Sequence, residues 1–187
     1  EYPPLEHIFD LRLILQRASI KDYILQPAEL LKVALVLETS TKIHAYFTRR
    51  KDAYPLLCSM SCAIQSDKIL QYNIGRVIDE EGTVRDSASR ELGDIRRQIL
   101  EKRNSLRKSL EGMLKSVAGK EWIQDEIITT RDGRMVIPVK VEHKNRVPGF
   151  IHSASASGAT VFIEPTETLE LNNEIRTLEF QEQREVA

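Results

Sequence analysis

The sequence predicts a mostly α-helical protein with one small antiparallel β unit, a four-stranded sheet at the tip of a helical stalk that rises from a helical core. Three observations predict it. Apolar residues recur at three- and four-residue spacing through most of the first 117 residues. An Asp-Gly pair at 132–133 joins two strand-like runs. Helical spacing then resumes after Pro165.

The elements follow in order. "PPLEHIFDLRLILQRAS" sets Leu5, Ile8, Leu11 and Leu15 at helical spacing behind Pro4, which suits a first-turn position. "QPAELLKVALVLETSTKIHAYFTRR" repeats the design from Pro27, with a band through Leu30, Ala34 and Leu37. Its end carries Arg49 and Arg50, where cations suit the helix dipole. "DAYPLLCSMSCAIQSDKILQ" reads as shorter helical pieces, and residues 1–73 form the helical core. Over 74–88, "YNIGRVIDEEGTVRDSAS" reads as a small hairpin with Gly82 in its turn.

Ser89 is the expected N-cap of an outgoing lever helix over 89–121, with Glu91 and Asp94 as its acidic first turn. Leu92, Ile95, Ile99, Leu106, Leu110, Met113 and Val117 form one narrow stripe, interrupted by Lys102 and Arg103. At 1.5 Å per residue this helix is on the order of 40 Å long. The interrupted stripe fits pairing with a returning helix of the same chain more simply than a dry dimer seam.

Residues 122–165 form the clamp. "EIITTR" and "RMVIPVKVE" flank the Asp132-Gly133 turn, and Met135, Ile137, Val139 and Val141 alternate toward one buried face. "HKNRVPG" is a second turn, "FIHSAS" a third strand and "ATVFIEP" a fourth, with Phe150 and Phe162 packed inward. Pro165 starts the returning lever helix, 166–187, striped by Leu171, Ile175 and Leu178. The helical pattern is unbroken at Ala187 and the chain opens on Glu1, so the sequence reads as a piece of a longer protein.

Function is constrained mostly by exclusion. Twenty-seven basic residues against 28 acidic ones leave a net charge of −1, so any electrostatic argument for a partner must be local. No apolar run approaches the roughly 18 residues of a spanning helix, which argues against a membrane partner. Cys58 and Cys62 are too few for a disulfide framework and fit buried thiols of a reduced, cytoplasmic compartment; with His44 they fall short of a metal's ligand set, and no metal is expected.

"HSASASGATVFIEP" concentrates hydroxyls beside His152, yet it holds neither G-x-S-x-G nor a Walker loop, and it reads as a strand junction rather than a catalytic site. No catalytic residue or cofactor is assigned to the chain, and a stand-alone enzyme is not expected. Between Ile127 and Ile163, five cations stand against two acids. Arg131 and Arg134 flank one turn, Lys140 ends a strand, and His143, Lys144 and Arg146 cluster in another turn. A phosphate contact and an ordinary solvated surface are both open from charge alone.

These residues carry a resemblance. "GRMVIPVKVEHKNRVPGFIHSASASGATVFIEPTETLELNNEIRTL", preceded by "VIDEEGTVRDSASRELGDIRRQI", resembles the middle segment of the second bacterial branch of the MutS family, paralogues not dedicated to mismatch repair. "PPLEHIFDLRLILQRAS" fits the core of the same proteins. The resemblance implies lever helices with a small clamp at their tip, in a cytoplasmic homodimer. An ABC-type ATPase using ATP and Mg, and in many members a small nuclease domain, would lie elsewhere in the parent protein.

It further implies sequence-independent binding of branched DNA that suppresses recombination. The alternative it implies is an interaction module that couples the ATPase to stalled ribosomes through ribosomal RNA. The element that wedges into mismatches in the repair branch belongs to an N-terminal domain outside this chain, so mismatch recognition is not implied. The nucleic-acid candidates are Arg131, Arg134, Lys140, His143, Lys144, Arg146, Ser153, Ser155 and Ser157. Lys144 and Arg146 rest on local charge, because "HKNRVPG" departs from the family pattern.

Overall fold

The computed structural model describes residues 2–117, 122–123 and 127–187. The chain is mostly helical with one four-stranded antiparallel sheet, and it divides into two units, Glu1–Arg90 and Glu91–Val186.

The first unit is built on α2 (Pro27–Thr48), which starts with proline at its first position, where the missing N–H is not needed. Glu29 reaches back to accept from the Gln26 amide at 3.0 Å. Arg49 caps its far end, and the Arg50 guanidinium lies 4.0 Å above the Tyr46 ring. The expected helix from Pro4 is corrected. Helix α1 spans only Arg12–Ala18, and Leu5, Ile8 and Leu15 are exposed. Local chemistry breaks the stripe: His7 has a positive φ of 55°, the Glu6 carbonyl accepts from the buried Thr39 hydroxyl at 2.7 Å, and the Asp10 carboxylate captures the Arg12 amide at 3.0 Å.

The "DAYPLLCSMSCAIQSDKILQ" stretch gives α3 (Pro55–Ser61) and the start of α4 (Lys68–Val77), as its broken pattern suggests. The cysteines are not buried: Cys58 is half-exposed and Cys62, just past α3, is exposed. The expected 74–88 hairpin is reduced to one bridge, Ile78–Val84, because α4 continues to Val77. Asp67 nucleates that helix by accepting from the Ile69 and Leu70 amides at 3.0 and 2.9 Å. Gly82 does occupy the turn, with φ of 80°.

Asp79 closes this turn. Its carboxylate accepts from the Thr83 hydroxyl and from the Thr83 and Glu81 amides. The hydroxyl first, and then the amides, hold its pKa below the usual 3.8. A depressed carboxylate supports the fold above its ordinary pKa and loses that support as pH falls through the lower folded value. NMR titration is expected to find Asp79 below 3.8, moving back toward 3.8 in Thr83→Val. Identical titration in the two proteins would refute the assignment to the hydroxyl.

The second unit pairs α5 (Arg90–Val117) with α6 (Leu169–Val186), and α6 follows a short 3-10 turn at Thr166–Thr168 rather than starting at Pro165. Leu92, Ile95, Ile99, Leu106 and Leu110 are buried as the stripe requires. Leu114 is buried where Met113 was expected, and Met113 packs at the margin of the core. The Val117 side chain and residues 118–121 of the expected lever helix lie outside the described residues.

The interruption in the stripe has a use within the chain. Lys102 pairs with Glu174, Arg103 with Glu179 and Arg96 with Glu182, each at 2.7 Å. Arg96, the earliest of the three on α5, meets the latest partner on α6, Glu182, so the helices are antiparallel. Each half-exposed pair contributes at most about 1 kcal/mol, and their main effect is to fix register.

At the far end of this helix pair lies the sheet, in the order β1 (Thr129–Arg131), β2 (Arg134–Lys140), β4 (Thr160–Pro165), β3 (Gly149–Ala154). Residues 124–126 of the expected clamp lie outside the described residues. Asp132 and Gly133 both have positive φ, 51° and 77°, as the two-residue turn demands. Met135, Ile137 and Val139 line the core as the alternation predicts, whereas Val141 is exposed in a 3-10 turn, Val141–Arg146, and Val136 and Pro138 are buried as well. Because Val136 and Pro138, which point away from the helices, are also buried, burial along the strand does not alternate. Among the described residues no helix is long and apolar enough to cross a membrane.

Candidate functional site

Side chains of paired residues in an antiparallel ladder share a face. Ile137, Val139, Val161 and Ile163 face Leu106, Leu110 and Leu114 of α5 and Ile175 of α6, and form the core of the unit. The register then sends Arg131, Arg134, Pro138 and Lys140 to the opposite face, together with Phe162, Glu164 and Phe150. Three of the sequence candidates thus share one surface with two aromatic rings.

Glu164 is the electrostatic centre of that surface. Its side chain is only 2% exposed, and it accepts from Arg134 Nη1 at 2.7 Å and meets His152 Nε2 at 2.6 Å. Arg134 also donates through Nη2 to Asn173 Oδ1 at 2.7 Å. A carboxylate so deeply buried is tolerated only because both oxygens are satisfied and one partner is a permanent cation. Arg134 is therefore held within the protein. Arg131 is exposed, and its guanidinium lies 4.1 Å above the Phe162 ring.

His152 reaches Glu164 because β3 bulges: Ile151 pairs with Ile163 and Ser153 with Phe162, leaving His152 as the extra residue. The Ser153 hydroxyl is buried and has no hydrogen-bond partner among the described residues. The Ser155 hydroxyl accepts from the Thr160 amide at 3.1 Å and lies 3.3 Å from that of Ser157, so it braces the turn around Gly158. Ser157 is exposed. Lys140 stands beside this turn, since Lys140 pairs with Thr160 and the Val141 amide donates to the Ala159 carbonyl at 3.0 Å.

The 3-10 turn carries His143, Lys144 and Arg146. His143 sits 3.6 Å from Glu142 and 6.3 Å from the Trp122 ring, with Arg146 6.0 Å over that ring. Lys144 is exposed, and neither it nor Lys140, Arg131 or Arg146 forms an ion pair among the described residues. Among the described residues no group of three His, Cys, Asp or Glu side chains is placed to hold a metal ion.

Two features escaped sequence reasoning. Phe150, expected to pack inward, is 62% exposed. Alternation could not assign its face, because the bulge two residues later shifts the phase of the strand. The second is Asn172, which is buried on α6 and accepts from the Met135 amide at 3.1 Å and donates to the Met135 carbonyl at 3.2 Å. Its side-chain amide satisfies both backbone groups of Met135, just beyond the described β2–β4 pairs. The "Leu-Asn-Asn" run was visible; what it binds was not.

No protein-family model matches the chain. It is similar to the Endonuclease MutS2 of Pelotomaculum thermopropionicum, 42% identical over 177 residues, which is 95% of this chain and 22% of that protein. Against the Endonuclease MutS2 of Symbiobacterium thermophilum it is 38% identical over 183 residues, 98% of this chain and 23% of the relative. Against that of Ruminiclostridium cellulolyticum it is 39% identical over 187 residues, with the same two coverages. The chain spans less than a quarter of the length of these relatives.

Proposed function

Since the chain belongs, over nearly all of its length, to the MutS2 paralogues of the MutS family, we propose that its sheet is a nucleic-acid clamp at the end of a helical lever, and that it holds phosphate backbone without reading sequence. The observation that carries this reading is the set of cations with no carboxylate partner among the described residues: Arg131 and Lys140 on one sheet face, Lys144 and Arg146 in the adjoining turn. Such cations are free to displace counterions from a polyanion. They present no paired donor and acceptor set of the kind that reads base edges.

In the whole protein, the clamp serves a DNA-acting homodimer of the cytoplasm. It restrains branched recombination intermediates, while ATP and Mg bind in a separate ATPase domain and strand cleavage belongs to a nuclease domain. The relatives' name, Endonuclease, supports the last point for those proteins.

Fluorescence anisotropy with a four-way junction, a linear duplex and a structured RNA, across a salt series, tests the clamp. Binding is expected to weaken steeply with salt. The log–log slope should fall by about two in Lys144→Glu/Arg146→Glu, since each phosphate left without its cation lowers it by about one. No salt-dependent binding to any of the three would sink the reading. Preference for the RNA over both DNAs would redirect it away from recombination.

A further inference from the structure

We propose that the sheet face bearing Phe150 stacks unpaired bases, so that the class of ligand the clamp grips is single-stranded nucleic acid, as exposed at a branch point, rather than continuous duplex. This rests on the clamp reading above and narrows it. Phe150 is 62% exposed near the start of β3, ahead of the bulge, on the same face as Arg131, Lys140 and Phe162. Phe162 lies two residues along β4 from Glu164, the residue opposite Phe150, so the two rings belong to adjacent strands of one surface. The outer side of the Arg131 guanidinium, stacked on Phe162, is a second flat platform that is sequence-tolerant and cationic.

Charge selects a nucleic acid over a protein for this surface. The carboxylate that the register places there, Glu164, is buried and already satisfied by Arg134 and His152, whereas Arg131 and Lys140 have no acidic partner among the described residues. Aromatic rings amid unpaired cations match a single strand, whose bases turn to the rings while its phosphates meet the cations. Duplex offers no such fit, because its base faces are occupied by their neighbours. The β3 edge is a poor template for pairing with a second copy, since the bulge at His152 interrupts its register.

The close approach of β3 to β4 at Gly149 fixes the ring's position. A Cβ there would stand 2.2 Å from the Glu164 carbonyl oxygen, so the backbone preceding Phe150 is pressed against its neighbour. The backbone that carries the ring is therefore held close to β4.

The test uses this chain with fluorescein-labelled single strands of DNA and of RNA, a duplex of equal length, and a single strand containing 2-aminopurine, whose emission is quenched on stacking. Wild type is expected to bind single strands more tightly than duplex and to quench 2-aminopurine. Phe150→Ala should lose about tenfold in single-strand affinity, equivalent to about 1.4 kcal/mol, within the range for one stacked base. Its duplex affinity should stay within about twofold, and its thermal midpoint should be unchanged, because the ring is exposed. Phe150→Trp should retain both affinity and quenching.

Equal loss on single strand and duplex, or no change in quenching, would overturn the inference while leaving the phosphate clamp standing. Absence of salt-dependent binding by the wild type would remove both. A change of oligomeric state in Phe150→Ala by sedimentation would instead assign the ring to a protein interface, again overturning the inference.

Discussion

Arg134→Met is expected to lower the unfolding free energy of the sheet-bearing unit by about 3 kcal/mol, the lower end of the range for breaking a buried ion pair by removing one partner. The lower end applies because the Arg134 side chain keeps 26% of its surface in water, while Glu164 keeps only 2%. The loss comes from Glu164, whose Oε1 would be left buried without its cation, and from the broken bond to Asn173 that ties β2 to α6. Adding Glu164→Gln should recover part of the loss, since burying a neutral amide costs far less than burying a carboxylate. Chemical denaturation of the three proteins measures it. An unchanged midpoint in Arg134→Met, accompanied by weakened nucleic-acid binding, would reassign Arg134 from the framework to the contact surface.

Gly149→Ala is expected to cost about 3 kcal/mol, at the upper end for overpacking, and to disturb the Phe150 platform with it. The added methyl would meet the Glu164 carbonyl oxygen at 2.2 Å and the Ile163 side chain at 2.8 Å. Neither can yield without parting β3 from β4, because the carbonyl is backbone and Ile163 is in the core. Gly112→Ala provides a control of opposite sign. It lies in α5 with no atom within 4 Å of the new methyl apart from its chain neighbours and the local helix backbone, and replacing a helical glycine by alanine stabilises by roughly 0.5–1 kcal/mol. Thermal melts of both variants decide the matter: two small shifts of the same sign would mean that β3 and β4 approach each other less closely at Gly149.

Much of the fold was legible because local and global preferences agree. Pro27 began α2, Asp132-Gly133 made the hairpin turn, and the cations within the α5 stripe marked a wet, intramolecular pairing. Legibility failed where a side chain overrode the local pattern. Leu5, Ile8, Leu11 and Leu15 carry a helical period, yet Asp10 and Thr39 take the backbone groups that a helix would use. Residues 74–77 look strand-like, but the Asp67 cap seven residues earlier had already committed them to helix.

At the candidate site, charge drew attention to Arg131 and Arg134 alike. Their different fates depend on Glu164, thirty residues beyond Arg134, and on a strand order that no spacing rule supplies. Phe150 was misassigned for a related reason: one extra residue in β3 reverses which side of the strand faces the core.

Asn172 has a bearing on how the protein is made. It supplies both hydrogen-bond partners of the Met135 backbone, 37 residues after that methionine in the chain. At a translation rate of about 5–20 residues per second, the nascent hairpin waits roughly 2–7 s for the residue that completes it. Within that interval β4, Thr160–Pro165, is made, but Ile175 of the core is still missing when Asn172 appears. The Met135 edge of the sheet therefore gains its hydrogen-bond partners only once α6 has been made.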